Sequence, residues 1–84
     1  MWNVLLHPNV VKFLNRLDNN MRERIKEKLL ELEQDPFRFL EHYEGAYYKF
    51  RVGDFRALID VDFERKEIMV RSLDHRKKIY KMAY

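Results

Sequence analysis

The sequence contains no cysteine and only two glycines, and these shortages exclude several kinds of functional site. Without cysteine the chain has no disulfide framework and no thiolate nucleophile, which is compatible with a reducing cytoplasm. With Gly45 and Gly53 as its only glycines, it has no glycine-rich loop of the kind that cradles phosphates. Any chemistry must therefore come from other side chains.

Histidines and long apolar runs are also scarce. The three histidines, His7, His42 and His75, lie far apart and lack the spacing of metal ligands. Asp60 and Asp62 could share one face of a strand, but paired acids beside a turn are more often solvated, so we expect no metal and no cofactor. No apolar run approaches the roughly 20 residues of a membrane span, and no signal-peptide pattern is present. We expect a cytoplasmic protein that does not bind a membrane.

Charge is what the chain has in abundance. At 84 residues we expect a single domain spanning residues 1–84. Its 17 basic and 14 acidic residues leave a net charge of +3, and the cations cluster in particular segments. Residues 75–84 contain arginine and lysine with interleaved tyrosines and no acid, a pattern that suits a nucleic-acid backbone and base stacking. The alternative is an ordinary solvated helix end, where cations suit the helix dipole.

Hydrophobic periodicity predicts two helices after a short first strand. Residues 2–6 form the strand, which Pro8 ends because proline cannot continue a sheet ladder. Asn9 is then the predicted N-cap of the first helix. A second helix over residues 20–34 carries apolar residues at spacings of four, four and three. The two apolar stripes predict a helical hairpin that packs on one face of a sheet.

Three further strands and a C-terminal helix complete the predicted order β-α-α-β-β-β-α. We expect a connector over residues 37–45 with one helical turn, a β-hairpin over 47–59, a last strand over 67–73, and a short helix or tail over 76–83. The predicted fold class is α+β, with an antiparallel sheet covered on one face by the helical hairpin.

The hairpin is the most informative stretch of the chain. A tight turn with Gly53 first suits a two-residue type II′ loop, which fixes the register. Arg51 then faces Arg56, with Lys49 beside them, on the face opposite to the apolar side chains. Like charges directly opposite on a sheet repel each other, so this arrangement indicates an anion between them. Edge protection by exposed cations is the competing interpretation. The predicted apolar face consists of Tyr48, Phe50, Val52, Phe55, Ala57 and Ile59.

The last strand leaves its register open. Ile68 and Val70 fit the core side, which would send Arg71 to the same side as the hairpin cations. The alternative register is also possible, because Leu73 is apolar too.

Two segments of the sequence resemble a known superfamily of toxins. Residues 48–56 read YKFRVGDFR and residues 73–80 read LDHRKKIY, and at this spacing they resemble the RelE branch of the RelE/ParE toxins over essentially the whole chain. The resemblance implies the toxin of a type II toxin–antitoxin pair, a ribosome-dependent endoribonuclease that cuts mRNA in the ribosomal A site. The implied partners are the ribosome, mRNA and a RelB-like antitoxin, which forms a hetero-oligomer with the toxin.

The resemblance also implies roles for individual residues. Lys49 and Arg51 would hold RNA phosphates, with Lys49 as general base and Arg51 as a clamp, since arginine does not readily lose a proton. Arg56 would stabilise the scissile phosphate, Arg76 would act near the leaving group, and Tyr80 would stack on a base. The further RNA-binding candidates are Arg71, Lys77, Lys78 and Lys81.

Several alternatives stay open at this point. Tyr84 competes with Tyr80 for base stacking, and His75 is an alternative acid or base, although a surface role is the simpler interpretation. The chemistry itself needs no metal, because a positioned RNA 2′-hydroxyl can attack its own phosphate while cations neutralise the growing charge. Two other functions fit the same fold, namely a ParE-like inhibitor of DNA gyrase and an RNA- or ribosome-binding module without catalysis.

Overall fold

The computed structural model describes residues 1–45 and 47–75, which form a five-stranded sheet with two helices packed on one face. In chain order the elements are β1 (Asn3–Leu6), α1 (Pro8–Arg16), α2 (Asn19–Glu31), a 3-10 turn (Pro36–Arg38), β2 (Glu41–Glu44), β3 (Tyr47–Val52), β4 (Phe55–Asp62) and β5 (Glu67–His75). The strands lie in the order β1-β5-β4-β3-β2. The predicted α+β class is confirmed, and the predicted C-terminal helix lies outside the described residues.

Each helix begins at a side chain that caps it. Nδ1 of His7 accepts a hydrogen bond of 3.1 Å from the backbone N–H of Asn9, and Pro8 occupies the first turn. The prediction of Asn9 as the N-cap is wrong because proline, with its fixed φ and missing N–H, suits the first helical position. Asp18 caps α2 by accepting a 2.9 Å hydrogen bond from the N–H of Met21.

The hydrophobic core lies between the helices and one face of the sheet. Ile25, Leu29 and Leu32 are buried at the predicted spacing on α2 and its C-terminal cap. Among the described residues no charged or polar residue is buried as a whole, so charge is confined to the surface and its margins. None of the helices in this part of the chain is long and apolar enough to cross a bilayer. The sheet contributes Phe50, Val52, Phe55, Ala57, Ile59, Val61, Ile68, Val70 and Leu73.

The β3–β4 hairpin has the register predicted from its turn. Arg51 pairs with Arg56, and Lys49 pairs with Leu58. Gly53 has a φ of 57°, and the aspartate that follows it does not share the positive φ, as a type II′ turn requires. The turn therefore sends the cations and the apolar side chains to opposite faces.

A β-bulge resolves the open register of β5. The pairing between β4 and β5 shifts between Leu58 and Ile59, and the extra residue on β5 is Arg71. Because of this shift, Val70 and Leu73 both face the core, with 0% and 5% of their surface exposed. A regular strand would have exposed one of these two apolar side chains.

Two features of the sheet differ from the prediction. The sheet is mixed, because Asn3–Leu6 pairs in parallel with the start of β5. Parallel neighbours need a long crossover connection, which the two helices supply. The predicted connector contains a further strand, β2, whose Glu41 pairs with Lys49. This edge strand is mostly exposed, so it lacks the apolar alternation by which strands are recognised.

Candidate nucleic-acid interface

Three cations lie on the face of the sheet that is turned away from the helices. On β3, Lys49 and Arg51 alternate with Phe50 and Val52, which are buried against the helices. Arg56 lies directly opposite Arg51 on β4. Since successive side chains of a strand point to opposite faces, the three cations share the outer face.

These cations converge on a notch of about 150 Å³ at the edge of β3. The pairing of β2 with β3 extends only as far as Glu41 and Lys49, so residues 50–52 have no described strand on that side. The volume corresponds to about five water molecules, enough to admit a phosphate group with some of its hydration. The notch is lined by Lys28, Phe39, Glu41, Lys49, Phe50, Arg51 and Arg56.

The side chain of Lys49 is held from two sides. Its Nζ atom lies 3.9 Å from Oε2 of Glu41, the residue directly opposite on β2. The same Nζ lies 5.5 Å from the ring centre of Tyr43, within the range of a cation–π contact. The Lys49 side chain is 26% exposed and that of Glu41 is 77% exposed, so the pair stabilises the fold by at most about 1 kcal/mol. The two contacts lie at the notch, where Lys49 and Glu41 are both lining residues.

Arg56 is enclosed more closely than the other two cations. Its Nε and Nη1 atoms are shielded from solvent. Its cross-strand neighbours are Arg51 on β3 and Asp74 on β5. Arg51, by contrast, is exposed, and its Nε donates to the carbonyl oxygen of Gly53 at 3.4 Å. Within residues 1–45 and 47–75 no acidic side chain forms an ion pair with Arg51, so its charge is available to a ligand.

Arg71 shares the outer face but does not line the notch. It lies at the bulge on β5, with Nη1 3.8 Å from Oδ2 of Asp60. β4 separates it from Lys49, and its charge is partly compensated by that aspartate. An RNA contact by Arg71 stays a prediction, and it would lie at the margin of the cationic surface.

His75 lies on the other face of the sheet. It pairs with Phe55, and the two rings stack with centroids 4.7 Å apart and planes 29° apart. Since Phe55 belongs to the core face, this contact turns His75 away from Lys49 and Arg56. The geometry therefore favours a surface role for His75 over a role as an acid or base beside Lys49 and Arg56.

The remaining predicted site residues follow β5 in the sequence. The described part of β5 ends at His75, opposite Phe55 and beside the Gly53 turn, at the end of the sheet where Arg56 lies. The candidates that lie outside the described residues are Arg76, Lys77, Lys78, Tyr80, Lys81 and Tyr84.

Four residues of the notch were not predicted as site residues, namely Lys28, Phe39, Glu41 and Phe50, of which Phe50 was assigned only to the apolar face. Glu41 faces Lys49 only because β2 exists, and β2 was not predicted. Gly45 is the signal that could have revealed it. It has a φ of 57° and lies four residues from both Glu41 and Lys49, at the turn of a second hairpin.

The chain belongs to the ParE toxin family, because the profile described as the ParE toxin of the type II toxin–antitoxin system parDE matches residues 4–80. It is therefore a toxin of a type II toxin–antitoxin system, within the RelE/ParE superfamily. None of the curated proteins compared with the chain is similar enough in sequence to count as a match.

Solved structures confirm the predicted RelE-like fold. The toxin–antitoxin complex RelBE2 from Mycobacterium tuberculosis matches with a TM-score of 0.80 and 20% identity, covering 89% of this chain and 98% of that one. The archaeal RelE–RelB complex from Pyrococcus horikoshii OT3 matches with a TM-score of 0.76 and 29% identity, covering 89% and 94%. The RelB–RelE antitoxin–toxin complex from Methanococcus jannaschii has a TM-score of 0.69 and 29% identity, covering 90% and 94%.

Proposed function

We propose that this toxin is a ribosome-dependent endoribonuclease that cuts mRNA in the A site and holds the scissile phosphate at the notch. The observation that carries the proposal is the convergence of Lys49, Arg51 and Arg56 on one small opening. Two arginines directly opposite each other repel, and a phosphodiester between them would remove that repulsion. Its oxygens also match the planar fork of each guanidinium group.

The proposed reaction begins with attack by the RNA 2′-hydroxyl on the adjacent phosphorus, which leaves a 2′,3′-cyclic phosphate and a 5′-hydroxyl. Arg51 and Arg56 would stabilise the negative charge that grows on the phosphate oxygens. Lys49 would hold the same phosphate at the edge of β3. Arg76 and Tyr80, beyond the described strands, are proposed to act at the leaving group and to stack on a base.

The openness of the notch supports dependence on the ribosome. Arg51 is exposed and Glu41 is mostly exposed, so the isolated protein offers few surfaces to hold a flexible RNA strand in line. Alignment of the attacking and leaving atoms contributes about 7–11 kcal/mol in well-oriented reactions. The ribosome would supply this alignment to a small cytoplasmic toxin.

The antitoxin is proposed to act on the same cationic surface. The matched structures from Pyrococcus horikoshii and Methanococcus jannaschii are RelE–RelB complexes, and a RelB-like partner is the proposed antitoxin in a hetero-oligomer with this chain. An acidic, disordered segment that folds on binding would neutralise the three notch cations and block access to RNA.

Cleavage on programmed ribosomes tests the proposed function. We expect the native toxin to cut mRNA in the A site, and Arg56→Ala to reduce the single-turnover rate by about 100- to 1,000-fold because one electrostatic contact to the phosphate is lost. The control is Arg65→Ala, which removes an exposed arginine in the turn after β4, outside the notch. Mapping of mRNA 5′ ends gives the readout, and near-native cutting by Arg56→Ala would exclude this residue from catalysis.

Gyrase inhibition is the second candidate function, and the match to the ParE family profile favours it. A supercoiling assay with purified gyrase separates the two functions. Inhibition of supercoiling without any cut in mRNA would support the gyrase function. Ribosome binding without either effect would indicate a binding module.

A further inference from the structure

One carboxylate lies among the cations of the notch. Of the described residues that line it, Glu41 is the only acidic one, alongside Lys28, Lys49, Arg51 and Arg56. A regular cross-strand pair brings β-carbons to about 5 Å, and Glu41 is the direct partner of Lys49 in the register of β2 and β3. An acid at this position weakens attraction for an anionic strand, so its presence calls for a chemical explanation.

We propose that Glu41 is the general base of the cleavage reaction, an inference that rests on the proposed ribonuclease function. An ammonium group has three donor hydrogens and no acceptor, and a guanidinium group has five donors and no acceptor. Among the lining side chains within residues 1–45 and 47–75, the carboxylate of Glu41 is the group that can accept a proton without first losing one. Lys49 then acts as a cation that holds the phosphate, and it does not need to lose its proton.

The contacts of Glu41 suit this division of roles. Its Oε2 lies 3.9 Å from Nζ of Lys49, so an anion bound by the ammonium group lies beside the carboxylate. The side chain is 77% exposed, which lets it turn toward a 2′-hydroxyl that enters from solvent. The groups that face it are Lys49 on β3, with the ring of Tyr43 packed on the same ammonium group, and Lys28, Arg51 and Arg56 around the notch.

The proposed step balances as a transesterification. The Glu41 carboxylate takes the proton of the 2′-hydroxyl while the 2′-oxygen forms a bond to phosphorus. The bond between phosphorus and the 5′-oxygen breaks, and the leaving oxygen takes a proton from water. Glu41 returns its proton to solvent, so no oxidant, reductant or metal enters the balance.

The dependence of the rate on pH distinguishes Glu41 from Lys49 as the base. Below the pKa of an amine, about 10.4 for lysine in peptides, the fraction able to accept a proton rises tenfold for each pH unit. A lysine base therefore predicts a rise of about 100-fold between pH 6 and pH 8, whereas a carboxylate is already ionised in that range. With Glu41 as the base, we expect the single-turnover rate on ribosomes to change less than threefold.

Substitutions of Glu41 complete the test. We expect Glu41→Gln to reduce the rate by about 100-fold or more and to leave a residual rate that rises with pH, because hydroxide replaces the lost base. Glu41→Asp should restore a large part of the activity. The matched control is Glu44→Gln, which removes the same charge from the other end of β2, outside the notch. Unchanged circular dichroism of each variant shows that the fold is intact.

The possible outcomes separate this proposal from the proposed function. If the native toxin cuts no mRNA at any pH, the ribonuclease function itself is wrong. If the native toxin cuts and Glu41→Gln cuts equally well, only the role of Glu41 is overturned. A native rate that rises 100-fold from pH 6 to pH 8 assigns the base to another group. A role limited to holding Lys49 would lower the rate equally at every pH, and this result also overturns the proposal.

Discussion

Removal of one of the two facing arginines is expected to stabilise the toxin. Arg51 and Arg56 are direct cross-strand partners, and like charges in that position cost about 0.2–1 kcal/mol. Arg51→Thr removes the repulsion at an exposed strand position and introduces a residue with high strand propensity. For a domain of this size 1 kcal/mol corresponds to about 4–8 °C, so we expect the melting temperature to rise by about 1–8 °C.

The control for this experiment is the same substitution at a paired arginine. Arg71 lies on the same outer face, but its guanidinium group is 3.8 Å from Asp60. Arg71→Thr therefore removes an attraction, and we expect a loss of up to about 1 kcal/mol. The comparison of the two variants tests what determines whether stability rises or falls. The cause is either the charge of the neighbouring residue or the general effect of threonine in a strand.

Thermal unfolding followed by circular dichroism at several salt concentrations is the assay. At about 1 M salt the Debye length falls to about 3 Å, so the gain from Arg51→Thr should shrink toward zero. A melting temperature at or below that of the native toxin at low salt would contradict the reasoning. It would show that the two guanidinium groups do not repel, and the inference of an anion between them would lose its physical basis.

Two further predictions concern the scaffold that positions the notch. Ile59→Ala removes a side chain that is 0% exposed in the centre of β4. We expect urea denaturation to show that the free energy of unfolding falls by about 2–5 kcal/mol. The control Ile59→Val should lower it by at most about 1.5 kcal/mol. Asp18→Ala removes the side chain that accepts a hydrogen bond from the N–H of Met21, and we expect the free energy of unfolding to fall by about 0.5–2 kcal/mol. The control Asp18→Asn should retain most of the stability. An equal loss in both variants would contradict a capping role.

The features that were predicted correctly depend on residues that lie close together in the sequence. The turn at Gly53 determines the pairing of β3 with β4 within a few residues, so the outer-face positions of Lys49, Arg51 and Arg56 followed from local chemistry. The apolar spacing along α2 likewise identified its buried side, and Ile25 is 0% exposed.

The features that the sequence did not reveal depend on distant pairing. The parallel contact of β1 with β5 joins residues about sixty positions apart, and no local pattern encodes it. The bulge at Arg71 depends on the competition between Val70 and Leu73 for the core, which appears only when β4 is beside them. Glu41 belongs to the notch through the pairing of a strand that has almost no apolar pattern.

Edge protection and anion binding, the two interpretations of the hairpin cations, can be separated by strand position. Beyond Lys49, β3 extends past the end of β2, so Arg51 lies on a segment that pairs with none of the described strands on that side, where a charge deters unwanted strand pairing. Arg56 cannot serve that purpose, because β4 is paired on both sides, with β3 and with β5. An interior strand needs no edge protection, and an arginine there repels the one opposite it. Edge protection therefore does not account for Arg56, which has an opposite charge beside it in its β5 neighbour Asp74. The physical basis for the proposed phosphate site is the notch that Arg56 lines together with Lys49 and Arg51.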